Sequence, residues 1–274
     1  MGGAAPDRRW LGRAALGAIV AAGYAVIVAP LVFVSWLAFF RNEVVSFPPE
    51  GYTLRWFGNI LDQNNFVDGF FTSLQVGLVA MAAGLAIGIP ASVAVARRRF
   101  RGRETVNTLL LLPLVVPGVV AGAAIYVFQV EVEVATALPL VAAFPGLVLA
   151  HVMITIPWTV RLVTASLTGL DPSTEEAAMN LGAGPVTTFF RVTLPTIRPG
   201  IVAAALFSFI VSFGNLEMTL FLIGPGRTTL PIAILQYLEW RIDPTIAAVS
   251  FLQIGLIGGA MLLTDRYVKL AKVI

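Results

Sequence analysis

Apolar runs of 18 residues or more alternate with short polar segments along this 274-residue chain. Runs of that length predict transmembrane helices rather than buried core helices. Six spans follow from the pattern, at about 14–40, 68–96, 106–130, 138–160, 199–223 and 245–264. Pro113 and Pro117 interrupt the third, and Pro139, Pro145 and Pro157 the fourth. Each proline frees backbone groups that neighbours or water must satisfy. Bundle packing meets that need, and so do helices bent around a pathway. The first run, Ala14 to Phe40, is too long for a signal-peptide core and no small-residue cleavage site follows it. It predicts an uncleaved span behind Arg8, Arg9 and Arg13.

One polar stretch lies between the fourth and fifth spans. Asp171-Pro172 predicts a helix start, with Asp as N-cap and Pro at the first helical position. Glu175 and Glu176 suit the first turn of the macrodipole. Leu181-Gly182 predicts the end, with Gly in a left-handed cap. Gly184-Pro185 turns the chain, a second short helix follows from Val186 to about Thr193, and Leu194-Pro195 is expected to break it. The first helix presents small residues at Ala177 and Ala178 and apolar contacts at Met179 and Leu181. About ten residues are too few to be stable alone, so its own bundle, a partner, or both must hold it.

Composition agrees with a membrane protein: 58% of residues are hydrophobic and 12% charged, where soluble domains carry about 25% charged residues. There is no cysteine, which excludes disulfides, iron–sulfur clusters and thiolate metal sites, and the single histidine is His151. No catalytic group and no metal site are expected. The net charge of +3 is read as topology rather than as nucleic-acid binding. Fourteen of the 18 Lys and Arg fall in one set of segments: Arg8, Arg9, Arg13, Arg97, Arg98, Arg99, Arg101, Arg103, Arg161, Arg191, Arg198, Arg266, Lys269 and Lys272. The other set holds four, Arg41, Arg55, Arg227 and Arg241. The positive-inside rule then places both termini and the 176–195 stretch in the cytoplasm. The opposite segments carry Glu43, Glu50, Asp62, Asp68, Glu131, Glu133, Glu239 and Asp243. Such a face attracts a cationic solute or a basic partner, or simply reflects that acids are not retained inside.

The pattern Glu176-Ala177-Ala178, Gly182, Val192-Thr193-Leu194-Pro195 resembles the cytoplasmic EAA loop of ABC importer permeases, whose pattern has Ile where this chain has Val192. The resemblance implies an all-α membrane protein with six transmembrane helices, the type I importer permease fold. It implies residues 1–67 as an N-terminal span and external loop, 68–264 as a five-span core with a coupling helix at about 172–193, and 265–274 as a cytoplasmic tail. In the family this helix docks into a groove on an ATP-binding subunit. Glu176, Ala177, Ala178, Gly182, Leu194 and Pro195 are thus the expected coupling residues. The implied partners are two ATP-binding subunits, a second permease subunit, an extracytoplasmic solute-binding protein and the lipid of the bacterial inner membrane. No cofactor is expected on this chain, because ATP is bound by the partners; no G-x-x-x-x-G-K-[ST] phosphate loop is present.

Polar residues inside spans are candidate pathway groups. Ser212, Asn215 and Glu217, at the end of the fifth span, are the expected pathway residues. Gln75, Gln129, His151 and Gln253 are expected to make helix–helix hydrogen bonds. The external segment Gly224 to Pro231, with Gln236 to Pro244, is similar to permeases for polyamines and related amino compounds such as aminophosphonates. Gly214 stands where that likeness leads one to expect an acid, which leaves open whether Glu217 serves instead. The alternative function is an ion-coupled secondary transporter, which needs mid-span carboxylates that the pattern lacks.

Overall fold

The computed structural model describes residues 8–44, 46–224 and 226–268. Met1 to Asp7, Val45, Pro225 of the external segment, and Lys269 and Lys272 of the inner cation set lie outside the described residues. Among the described residues the elements are helical, with one isolated antiparallel bridge between Phe40 and Tyr52. In chain order they are α1 (Arg8–Leu37), α2 (Arg55–Asp62), α3 (Asn64–Arg97), α4 (Arg103–Leu111), α5 (Gly118–Thr136) and α6 (Phe144–Thr168). Then come α7 (Pro172–Asn180), α8 (Pro185–Thr188), α9 (Leu194–Thr196), α10 (Arg198–Phe213), α11 (Leu230–Trp240) and α12 (Thr245–Val268). A π turn at Phe189–Thr193 joins α8 to α9, so helical backbone runs from Pro185 to Thr196 and then bends by 69° into α10.

Among the described residues, five helices are long and apolar enough to cross a membrane by length and composition, or six if the bent pair counts as one span. Three boundaries differ from those expected. The third run is split into α4, a single 3-10 turn at Leu112–Leu114, and α5, because Pro113 and Pro117 cannot donate to a continuous ladder. The fourth begins at Phe144. Ala137 and Ala142 before it hold left-handed φ values of 58° and 54°, and Pro145 falls in the first turn of α6, where its missing N–H removes no bond. The fifth stops at Phe213. Its 16 residues rise about 24 Å, short of the roughly 30 Å of hydrocarbon that a span must cross. Non-helical backbone follows it from Gly214.

The chain divides into two compact units. The first holds residues 1–62 and 238–255. In it, Trp56 donates from its indole to the Phe40 carbonyl at 2.6 Å. Phe39, Phe57 and Phe251 form a cluster with ring centroids 5.4 to 5.8 Å apart. The apolar stretch of α1 is not buried by this chain.

The second unit holds residues 63–237 and 256–274, with α3, α6 and α10 at its centre. Lipid is as apolar as leucine, so close backbone approach and interhelical hydrogen bonds hold such helices together. Gly84 and Gly88 of α3 receive Thr155 and Thr159 of α6; a Cβ on Gly88 would come within 2.6 Å of Thr159 Cγ2. The Thr155 hydroxyl donates across the interface to the Ala80 carbonyl at 3.0 Å. Trp158 stacks on Phe207 of α10 at 5.5 Å.

Candidate functional site

The element between α6 and α10 is built by local capping. Ser173 N–H donates to Asp171 Oδ1 at 3.0 Å, which satisfies one of the free donors at the start of α7. That bond stabilises the ionised form and holds the Asp171 carboxyl below the usual carboxylate range. At the other end, Gly182 N–H donates to the Met179 carbonyl at 3.0 Å and Ala183 N–H to the Ala178 carbonyl at 3.1 Å. This is the Schellman pattern, and it needs Gly182 at φ +90°. No atom lies within 4 Å of a Cβ on Gly182, so conformation and not space requires the glycine.

The expected break at Leu194-Pro195 is not where the chain breaks. Leu194 N–H bonds back to the Phe189 carbonyl, the i−5 bond of the π turn, and Pro195 falls in the first turn of α9. The helical run passes through both residues and ends at Ile197. Proline's missing N–H is absorbed where the ladder has already shifted by one residue.

Glu175 anchors α7 to the bundle. Its Oε2 lies 2.9 Å from Arg97 Nε in an ion pair, with side chains 15% and 20% exposed. Its Oε1 accepts from the Thr193 hydroxyl at 2.6 Å. Arg97 also donates to the Leu170 carbonyl at 3.1 Å. One node thus ties the end of α3, the end of α6, the first turn of α7 and the π turn. Between these elements lies a cleft of about 360 Å³, into which Arg98, Glu176 and Met179 also face. Thr188, on its wall, is 5% exposed, and its hydroxyl has no partner among the described residues.

With Glu175 turned inward, Glu176 and Ala177 are exposed and Ala178 is half-buried. Beside them Leu181 is 90% exposed, and Val186, Phe190 and Met179 are exposed as well. A polar element that displays four large apolar side chains has the character of a contact surface. Of these, sequence reading marked Met179 and Leu181. It gave no role to Val186 and Phe190, nor a structural one to Arg97 and Thr193.

The second place of interest is the interruption after α10. Asn215 Oδ1 accepts from the N–H groups of Met218 and Thr219 at 3.2 and 3.3 Å, supplying what non-helical backbone within a span requires. Ser212 is buried and bonded to His151 Nδ1 at 2.7 Å. The structure thus engages Ser212 and Asn215 within the chain and leaves Glu217 exposed. Glu217 packs over Gly118, the first residue of α5, where the helix dipole favours a carboxylate. One turn on, Gly122 receives Met218: a Cβ there would lie 2.7 Å from the Met218 carbonyl oxygen. The sequence Gly118-Val119-Val120-Ala121-Gly122 is a small-xxx-small face that seats the interruption. Gln129 does make a helix–helix bond, from Nε2 to the Gly146 carbonyl at 2.8 Å, and Gln75 is exposed.

A family model described as "Binding-protein-dependent transport system inner membrane component" matches residues 84–269. The chain is 31% identical over 241 residues to the putrescine transport system permease protein PotI of Escherichia coli K12, covering 88% of this chain and 85% of that one. It is 32% identical over 194 residues to a probable molybdenum ABC transporter permease protein of Haloferax volcanii, covering 70% and 71%. Its fold is similar to a chain in the crystal structure of a bacterial ABC transporter that imports the acidic polysaccharide alginate, with TM-score 0.72, 13% identity and coverage of 97% and 99%.

Proposed function

Because this chain belongs to the family of binding-protein-dependent transport system inner membrane components, we propose that α7 is its coupling helix and that its cargo is a small organic cation of the polyamine class. The chain is a multi-pass permease subunit of an ATP-driven importer, with the type I permease fold. Membership decides between the ATP-driven and ion-coupled readings in favour of the first.

The coupling assignment rests on the exposed apolar face at Met179, Leu181, Val186 and Phe190 beside Glu176, Ala177 and Ala178. That face docks on an ATP-binding subunit, and the Gly182 cap and the Glu175 node keep α7 rigid enough to carry force. Leu194 and Pro195 act at the base of the element, in the helical run that bends into α10. ATP hydrolysis belongs to the partners: two ATP-binding subunits, working with a second permease chain and an extracytoplasmic binding protein. Arginine placement supports cytoplasmic termini and a cytoplasmic α7, in the cell inner membrane.

The cargo assignment draws on the fuller match to the putrescine permease and on Glu217, an exposed carboxylate at the interruption. Ser212 and Asn215 support Glu217 rather than meeting the solute. The test is uptake by the complete complex in proteoliposomes, with ATP inside and the cognate binding protein outside. Radiolabelled putrescine is expected to accumulate only with ATP. Accumulation of molybdate instead would reverse the cargo assignment and leave the coupling assignment standing.

A further inference from the structure

His151 lies in α6, 1% exposed. Its two ring nitrogens reach the two sides of the interruption after α10. Nδ1 is 2.7 Å from the Ser212 hydroxyl, in the last turn of α10, and Nε2 is 3.1 Å from the Thr219 hydroxyl, beyond the interruption. The Thr219 hydroxyl is in turn 2.9 Å from the Asn215 carbonyl oxygen, to which it donates.

These bonds fix one another's direction. A hydroxyl has a single proton. If Thr219 donates it to Asn215, Thr219 accepts from His151 Nε2–H. The neutral ring then presents Nδ1 as acceptor, and Ser212 donates to it. The chain Ser212 to His151 to Thr219 to Asn215 is thereby satisfied by one tautomer of a neutral imidazole. It closes a ring around residues 213–218, the stretch that holds Glu217. The opposite side of that stretch is fixed by the close approach of Gly118 and Gly122. A buried polar network satisfied at every member specifies one arrangement.

We propose that His151 is a positioning residue: by bridging Ser212 and Thr219 it fixes where the Glu217 carboxylate stands in the solute pathway. This rests on the pathway role proposed for Glu217, yet the position of residue 217 can be measured without assuming that role.

The chain has no cysteine, so Glu217→Cys places a unique thiol at the interruption. The measurement is the rate of its modification by a cationic thiosulfonate in the assembled complex, with His151 intact or changed. His151→Phe removes both bonds while keeping a planar ring, and is expected to change the rate by about thirtyfold, the effect of losing two ordinary hydrogen bonds. His151→Gln, which can offer both a donor and an acceptor, is expected to restore part of it. Ser212→Ala and Thr219→Val, each removing one bond, should give smaller changes of the same sign, and they serve if His151→Phe fails to assemble. Unchanged rates in variants that co-purify with the ATP-binding subunit would overturn the proposal. A parallel putrescine uptake assay separates positioning from the pathway role. If Glu217→Gln transports normally while the thiol rates shift as expected, the positioning stands and the pathway role of Glu217 fails. If both hold, His151→Phe should reduce uptake in the native background and add nothing to Glu217→Gln, the non-additivity expected of residues that act together.

Discussion

Replacing Glu175 with Gln deletes one charge and almost no volume. The amide keeps an oxygen for the Thr193 hydroxyl and loses the ion pair to Arg97, which stands at 2.9 Å. Exposed pairs are worth about 0–1 kcal/mol, and breaking a buried one costs about 3–5 kcal/mol. With side chains 15% and 20% exposed, this pair falls between, at about 2 kcal/mol. That is roughly a thirtyfold rise in the fraction of time α7 is undocked from the bundle. Amide hydrogen exchange in the purified chain reads this directly: protection of the α7 amides should fall about thirtyfold while α3 and α6 keep theirs. In the reconstituted complex, uptake per ATP hydrolysed should fall. Glu176→Gln is the contrasting change, because that side chain is exposed. It should leave α7 protection intact and weaken co-purification of the ATP-binding subunit. Exchanging the charges, Arg97→Glu with Glu175→Arg, should recover part of the protection. Wild-type exchange and coupling in Glu175→Gln would refute the idea that this node holds the helix.

Gly182→Val forces a β-branched residue to φ +90°, at a cost of about 1–2 kcal/mol. It should fray the end of α7 and lower co-purification of the ATP-binding subunit without reducing membrane insertion, as read on membrane fractions. The Asp171 carboxyl is held below its ordinary pKa by the Ser173 N–H, so its cap is present above the ordinary carboxylate range and is lost as pH falls through the folded value. Protection at the start of α7 should fall in acid in the native chain, while Asp171→Asn, which also caps, should show no such dependence. Gly122→Ala places a Cβ 2.7 Å from the Met218 carbonyl oxygen, and overpacking of this kind costs about 1–3 kcal/mol. It should lower the thermal midpoint in detergent, whereas Gly23→Ala, with nothing within 4 Å, should not.

Long-range apolarity made the spans readable, since helices that face water seldom sustain 18 apolar residues in a row. Capping made α7 readable, because Asp171 and Gly182 act on backbone within a few residues of themselves. What was hidden is what depends on distant partners. Arg97 looked like one more topology arginine, and Glu175 like one more acid in a first turn. Their pairing joins residues 97 and 175, and nothing local announces it. His151 and Ser212 stand 61 residues apart, and only the fold brings them to 2.7 Å. The split of the third span was foreshadowed by Pro113 and Pro117, but not the place where α5 restarts. The passage of helix through Pro195 was unreadable because the π turn before it depends on packing rather than on a residue signature.

The π turn at Phe189–Thr193 carries one residue more than an α ladder would hold. Deleting a single residue there would restore the ordinary register and rotate α7 and α8 by about 100° relative to α9 and α10. Thr188 and Phe189 would leave the cleft wall, and α7 would turn a different side outward. In this segment, then, the gain or loss of one residue changes heading rather than length. Chains that diverge by such a step would present another flank of the same short rod, and a partner matched to one phase would not fit the other.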